Sequence, residues 1–112
     1  MSNLGKLLPR FFQLLETVPP AQLRVKELAD RLGVSTSTLG REFSRYLHRP
    51  VKEYLTGYLK DRIRLAMQNG RRSLSDTAAQ LGFADDAYFH RTFKRLFGLT
   101  PAAFRAGGHG AE

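Results

Sequence analysis

Two arginines stand at matching places in two similar segments of this 112-residue sequence. Arg41 and Arg91 are 50 positions apart (91 − 41 = 50), and each lies two residues before a phenylalanine. A guanidinium group presents its N–H donors as a planar fork, so it binds paired acceptors such as a carboxylate, a phosphate or guanine O6 and N7. These residues therefore offer recognition through hydrogen bonds, with a solvated surface arginine as the simpler alternative.

The charge balance favours a polyanionic partner. Eighteen Lys and Arg face ten Asp and Glu, which gives a formal net charge of +8 and a pI near 10.5. Such an excess attracts nucleic acid, an anionic membrane or an acidic protein, with nucleic acid favoured. The sequence has no cysteine, which excludes disulfides, thiolate metal sites and cysteine nucleophiles. With no membrane-spanning stretch and no signal peptide visible, we expect a cytoplasmic, nucleoid-associated protein without metal or cofactor.

Helical periodicity dominates the chain. Apolar residues spaced by three and four predict an amphipathic helix from Leu4 to Thr17, stopped by Pro19-Pro20, and a short second helix from Val25 to Leu32, ended by Gly33. The third predicted helix is capped by Ser35 and carries Leu39, Phe43, Tyr46 and Leu47 at periodic positions, of which the two leucines and Phe43 face inward. The remaining predicted elements are a long helix from Val51 to Gln68, a helix capped by Ser75 or Ser73 and ended by Gly82, a helix capped by Asp85 and ended by Gly98, a short helix after Thr100-Pro101, and a frayed tail from Ala106 to Glu112.

The same supersecondary unit occurs twice. Ala29 and Ala78 each lie four residues before a glycine that ends a short helix, and a capped helix with inward aromatic or leucine residues follows. Two helices that cross steeply need a small residue at their closest approach, and the tight turn needs a residue that accepts a positive φ. The second helix of such a helix-turn-helix buries one face and leaves the other for the DNA major groove. Two copies in one strongly basic chain favour DNA binding.

The second unit carries a longer motif. It comprises Ala78-Ala79-Gln80-Leu81-Gly82-Phe83, Tyr88-Phe89, Arg91, Phe93-Lys94, Phe97-Gly98, Thr100-Pro101 and Phe104-Arg105. These residues resemble the signature of the AraC/XylS family of bacterial transcription regulators. The first unit, from Leu28 to Leu55, is similar to the more variable half of that family, so the resemblance extends over nearly the whole chain.

The resemblance implies an all-α fold of seven helices. Two helix-turn-helix subdomains (1–49 and 71–106) would be joined by a linker helix (50–70) and followed by a flexible tail (107–112). The implied function is sequence-specific binding of double-stranded DNA in transcription regulation, with recognition helices 36–47 and 86–97 in adjacent major-groove segments. The isolated domain is expected to be monomeric, and an effector domain is expected to be absent from the chain. RNA polymerase is a candidate partner, and no membrane partner is expected.

Three positions depart from the family pattern. Gly57 lies inside the linker helix, where glycine costs about 1 kcal/mol relative to alanine. Leu59-Lys60 has the reverse order of the basic–apolar pair that family linkers often carry. Gly40 replaces a longer side chain within the first recognition helix, so we expect the first subdomain to contact fewer bases.

Outward positions near the start of each recognition helix are the candidates for contact with DNA. The candidate base contacts are Ser37, Thr38, Arg41, Asp86, His90 and Arg91. The candidate phosphate contacts are Ser35, Thr36, Arg45, Arg71, Ser75, Lys94 and Arg95. Asp86 could accept from cytosine N4, or it could merely stabilise the helix dipole. The hydroxyls of Ser37 and Thr38 fit a helix start equally well.

Other classes of function fit less well. A basic helical adaptor for an acidic protein is the main alternative, but it leaves the paired turn motifs without a purpose. A membrane-surface binder would rely on the first helix, whose polar face carries few cations. The sequence shows no nucleophile–base pattern and no glycine-rich phosphate loop, so we expect neither an enzyme nor catalytic residues.

Overall fold

A computed structural model describes residues 3–107, except for the side chains of Asn3 and Leu4, and this part of the chain is all-helical. Its α-helices are α1 (Leu7–Leu15), α2 (Val25–Leu32), α3 (Thr36–Leu47), α4 (Val51–Met67), α5 (Leu74–Leu81), α6 (Asp86–Phe97) and α7 (Pro101–Arg105). The seven α-helices within these residues confirm the expected fold class. Most of the predicted frayed tail, residues 108–112, lies outside the described part.

The chain divides into two compact units after Leu59. The division falls within α4, so this helix begins in the first unit and ends in the second. Each unit therefore takes part of the segment that the sequence predicted as a linker helix.

The first unit packs α1, α2, α3 and the start of α4 around an aromatic cluster. Phe11 and Phe43 are fully buried, with ring centroids 5.2 Å apart, and the Tyr54 ring lies 5.3 Å from that of Phe43. Edge-to-face geometry of this kind adds to the stabilisation from burial. Ala29 is fully buried on α2, as the predicted close approach of two helices requires.

The second unit uses a continuous run of rings instead. Phe83, Phe89 and Phe93 follow one another at 5.1 and 5.8 Å, and Phe93 stacks on Phe97 at 4.4 Å. Ala78 is buried where α5 meets the rest of the unit, in the place that Ala29 occupies in the first unit. The two units thus bury equivalent positions, with larger residues in the second.

Glycine or a left-handed residue ends most of the short helices. Gly33, Gly82 and Gly98 have φ values of 74°, 94° and 81°, and each follows the last residue of a helix. A positive φ disfavours residues with a Cβ atom, so these turns depend on glycine. The predicted stops at these three glycines are confirmed.

Two details differ from the sequence prediction, and a third refines it. The first α-helix is shorter than predicted, because Asn3–Lys6 forms a 3-10 turn and α1 ends at Leu15. A second 3-10 turn, Pro20–Gln22, was not predicted; Pro20 supplies its first residue, and Ala21 is buried within it. Tyr46, one of the periodic residues of α3, is 60% exposed, whereas Leu47 packs against the core. Consecutive helix residues are about 100° apart, so adjacent residues do not share one face.

Candidate nucleic-acid interface

The start of α3 is fixed by a side-chain cap, as predicted. Ser35 is extended (φ −76°, ψ 160°), and its Oγ accepts a hydrogen bond from the Thr38 backbone N–H at 3.0 Å. Ser35 Oγ also donates to Thr38 Oγ1 at 3.0 Å. The two hydroxyls are therefore engaged with each other, whereas Thr36 and Ser37 are exposed in the first turn.

Arginines lie on the exposed face of α3. Arg41 and Arg45 are both exposed, while Leu39 and Phe43 on the opposite face are fully buried. Arg45 is paired with Glu42 at 3.6 Å, and Glu42 is only 4% exposed. The sequence reasoning missed this buried carboxylate because a glutamate on a helix usually faces solvent. Its spacing of three residues from Leu39 was the signal that it lies near the inner face.

The start of α6 repeats the arrangement with an acidic cap. Asp85 accepts from the Tyr88 backbone N–H through Oδ1 at 2.7 Å, which confirms the predicted N-cap. Exposed residues then follow along the outer face of the helix, and they are Asp86, Ala87, His90, Arg91, Lys94 and Arg95. The buried face carries the phenylalanine run, so the outer face is available to a ligand.

The start of α5 lies beside the start of α6. Ser73 caps α5, since its Oγ accepts from the Asp76 backbone N–H at 3.0 Å. Of the two caps considered from the sequence, Ser75 is therefore wrong and Ser73 is confirmed. Ser75 instead donates from Oγ to Asp86 Oδ2 at 2.7 Å, which joins a candidate phosphate contact to a candidate base contact.

Arg71 lies in a loop that the last helix braces. The exposed Arg71 donates its backbone N–H to Asn69 Oδ1 at 3.2 Å. From α7, Arg105 donates through Nη1 to the carbonyl of Arg72 and through Nη2 to the carbonyl of Asn69. The sequence identifies Arg105 only as part of the family motif, whereas the structure shows that it binds two backbone carbonyls of this loop.

Two cations of α4 contact an aromatic ring. Lys60 Nζ and the Arg64 guanidinium carbon lie 5.3 and 5.5 Å from the centroid of the Phe97 ring. These cation–π contacts lie within the second unit and join the end of α4 to α6. Arg64 also pairs with Asp61 at 3.1 Å.

Residues 3–107 contain neither a helix that could span a membrane nor a candidate metal site. None of the helices there is both long and apolar enough to cross a bilayer. Nor do three or more histidine or acidic side chains gather there in a way that could hold a metal ion.

A sequence profile of the helix-turn-helix domain family matches residues 28–107, which is most of the chain. This profile is of the AraC type. The chain belongs to the AraC-type helix-turn-helix family. The matched region begins within α2 and includes α3 to α7, and DNA binding in transcription regulation is the function of this domain family. The resemblance inferred from the second-unit motif is thereby confirmed.

Curated relatives of this AraC-type domain are transcription regulators. It is 31% identical over 85 residues to the Msm operon regulatory protein of Streptococcus mutans, covering 76% of the chain and 31% of that protein. It is 27% identical over 103 residues to the HTH-type transcriptional regulator ArgR of Pseudomonas aeruginosa, covering 89% of the chain and 31% of that protein. The chain thus spans about a third of the length of these two relatives, and no catalytic family is indicated.

Solved structures share the fold. The C-terminal domain of AraT, a response regulator from Geobacillus stearothermophilus, matches with a TM-score of 0.72 at 23% identity over 99% of this chain and 93% of that one. The DNA-binding domain of AdpA, solved in complex with a target DNA, matches with a TM-score of 0.66 at 24% identity over 89% of this chain and 90% of that one. An AraC-type regulator from Chromobacterium violaceum has a TM-score of 0.60 at 28% identity, covering 91% and 90%.

Proposed function

We propose that this domain binds a specific double-stranded promoter sequence, with α3 and α6 each inserted into a major-groove segment. The observation that carries the proposal is the matched pair of capped helices. Each helix buries a run of apolar residues and exposes an arginine, Arg41 or Arg91, at the same place after its cap. Arginine at the N-terminal, outward part of a recognition helix is well placed to bind guanine O6 and N7.

The other candidate contacts divide by chemistry. The hydroxyl, carboxylate and imidazole side chains near the helix starts are proposed base contacts, and they are Ser37, Thr38, Asp86 and His90. The proposed phosphate contacts are the side chains of Thr36, Arg45, Arg71, Lys94 and Arg95, together with the backbone N–H of Ser35, whose hydroxyl donates to Thr38. Ser75 is not among them, because it donates its hydroxyl proton to Asp86. Phosphate contacts fix the position of the protein on the duplex, and base contacts determine its sequence preference.

In this proposal the domain binds DNA and catalyses no reaction on it. In this proposal it binds DNA as a monomer, at the nucleoid in the cytoplasm, and it regulates transcription when it meets RNA polymerase at a promoter. It carries no catalytic residues. Support comes from the regulators to which it is similar and from the matched helix faces.

Salt dependence gives the first test. If Arg45, Arg71, Lys94 and Arg95 each neutralise one phosphate, the logarithm of the association constant falls against log salt with a slope of about −3.6. Fluorescence anisotropy with labelled promoter duplex should then show a loss in affinity of about 10²-fold between 50 and 200 mM salt. Binding that ignores both DNA sequence and salt would reject the proposal and favour an adaptor for an acidic protein.

Paired substitutions separate base contacts from phosphate contacts. Arg91→Ala should cost about 1–3 kcal/mol on the preferred sequence and relax the preference at one base pair. Lys94→Ala should weaken all sequences alike and make the salt slope shallower by about 0.9. Arg10→Ala is the matched control, because it removes the same charge from the exposed side of α1, outside both helix-turn-helix motifs. Identical effects of Arg91→Ala and Lys94→Ala would contradict the assignment.

A further inference from the structure

A hydrogen bond connects the two helices of the second helix-turn-helix on its exposed side. Ser75, the second residue of α5, donates from Oγ to Oδ2 of Asp86, the first residue of α6, at 2.7 Å. Both residues are exposed, and neither serves as an N-cap, because Ser73 and Asp85 do so. The bond is therefore additional to the capping of either helix.

This bond constrains a carboxylate at the start of the proposed recognition helix. An isolated aspartate at such a position samples several rotamers, and fixing one of them on DNA binding costs entropy. The Ser75 hydroxyl holds one oxygen, Oδ2, and leaves Oδ1 as an acceptor. Because the serine proton is directed at the carboxylate, it is not directed at a DNA phosphate.

The negative charge of a carboxylate makes it selective for hydrogen-bond donors on the DNA. It is repelled by phosphate oxygens and by the acceptors of guanine and thymine in the major groove, whereas the exocyclic amines of cytosine and adenine donate to it. A carboxylate held in one orientation thus favours cytosine or adenine at the base edge that it reaches, and penalises guanine or thymine, which present only acceptors there.

The first unit lacks this pair. Alignment of Ala29 with Ala78 places Lys26 at the position of Ser75, and alignment of the two N-caps places Thr36 at the position of Asp86. A cation and a neutral hydroxyl therefore stand where the second unit has a hydroxyl and a carboxylate. Any discrimination through a positioned acid belongs to the second unit alone.

We propose that Ser75 is a positioning residue that holds Asp86 to select a base with an exocyclic amine, cytosine N4 or adenine N6, in the DNA segment bound by α6. This rests on the proposed function and extends it, because it assigns one specificity contact and the residue that orients it. Ser75 acts through Asp86 and not on the DNA.

The test compares base preference among variants of the full chain. Duplexes selected from a random pool by the unsubstituted chain are re-measured with each of the four base pairs at the position that Asp86→Asn perturbs most. Ser75→Ala should reduce discrimination there by about 2- to 10-fold. It should leave affinity for non-specific DNA and the salt slope unchanged. Ser75→Thr, which keeps the hydroxyl, should restore the preference, and the favoured base distinguishes cytosine from adenine.

Controls separate positioning from a purely structural role. Lys26→Ala, at the place in α2 that matches Ser75, should leave the preference at the Asp86 position unchanged. If Ser75→Ala weakened every sequence equally, or if Asp86→Asn altered no base preference, the proposal would be overturned. In that case the sequence preference that depends on Arg91 would persist, so the proposed function would survive. If the unsubstituted chain selected no sequence at all, both would be overturned.

Discussion

Replacing Gly33 by alanine should destabilise the first unit although the added methyl group meets nothing. Gly33 follows α2 with φ at 74°, and a Cβ built there finds no heavy atom within 4 Å. The cost is therefore confined to the backbone, because a Cβ in the left-handed region lies too close to its own carbonyl. We expect a loss of about 1–2 kcal/mol in the free energy of unfolding.

Gly40→Ala is the matched control, since it makes the same chemical change with the opposite expected sign. Gly40 lies inside α3, and its added Cβ also finds nothing within 4 Å. Alanine in a helix interior is favoured over glycine by about 0.5–1 kcal/mol, so this variant should be more stable than the unsubstituted chain. The two variants should thus differ by about 2 kcal/mol, which corresponds to roughly 8–16 °C in Tm for a unit of this size.

The assay must report on the first unit alone. Amide hydrogen exchange at Phe43, buried in that unit, supplies a local free energy of opening, and circular dichroism during urea unfolding supplies the global one. A neutral or stabilising effect of Gly33→Ala would refute the turn geometry, because it would mean that φ there is not positive in solution.

Substitutions at two further residues test local structure in the second unit. Asp85→Ala should lower the free energy of unfolding by about 1 kcal/mol by removing the cap on α6, whereas Asp85→Ser should retain most of that free energy. A urea titration that finds no difference between the two variants would reject the cap. Arg105→Met should cost about 1–3 kcal/mol, because the carbonyls of Arg72 and Asn69 lose their donors. Arg105→Lys should not restore the lost stability, because an ammonium lacks the fork that reaches both carbonyls; full recovery in the same titration would contradict this reasoning.

The elements that position the site could be predicted because their signals are local. Ser35, Asp85 and Thr100 act as N-caps through side chains that accept a backbone N–H three residues later, and this spacing is visible in the sequence. The glycines after α2, α5 and α6 could also be predicted, because the need for glycine there depends only on the backbone conformation of the turn. The buried phenylalanines of α3 and α6 could be predicted from the helical periodicity within each repeat.

The contacts that the sequence did not reveal depend on tertiary packing. The bond from Ser75 to Asp86 joins residues 11 positions apart, and its existence depends on the angle between α5 and α6. Arg105 reaches carbonyls more than 30 positions away, which no local pattern announces. The burial of Glu42 conflicts with the usual exposure of charged residues, so its spacing from Leu39 indicates a position near the inner face but not the extent of its burial.

Selection of bound duplexes from a random DNA pool tests the central claim most directly. The claim is that α3 and α6 recognise base sequence, so the selected pool should converge on a motif. The affinity for that motif should exceed the affinity for scrambled DNA by at least about 10³-fold near physiological salt. Arg41→Ala and Arg91→Ala should each relax a different part of the motif. A pool that fails to converge, or an affinity ratio near one, would contradict the account.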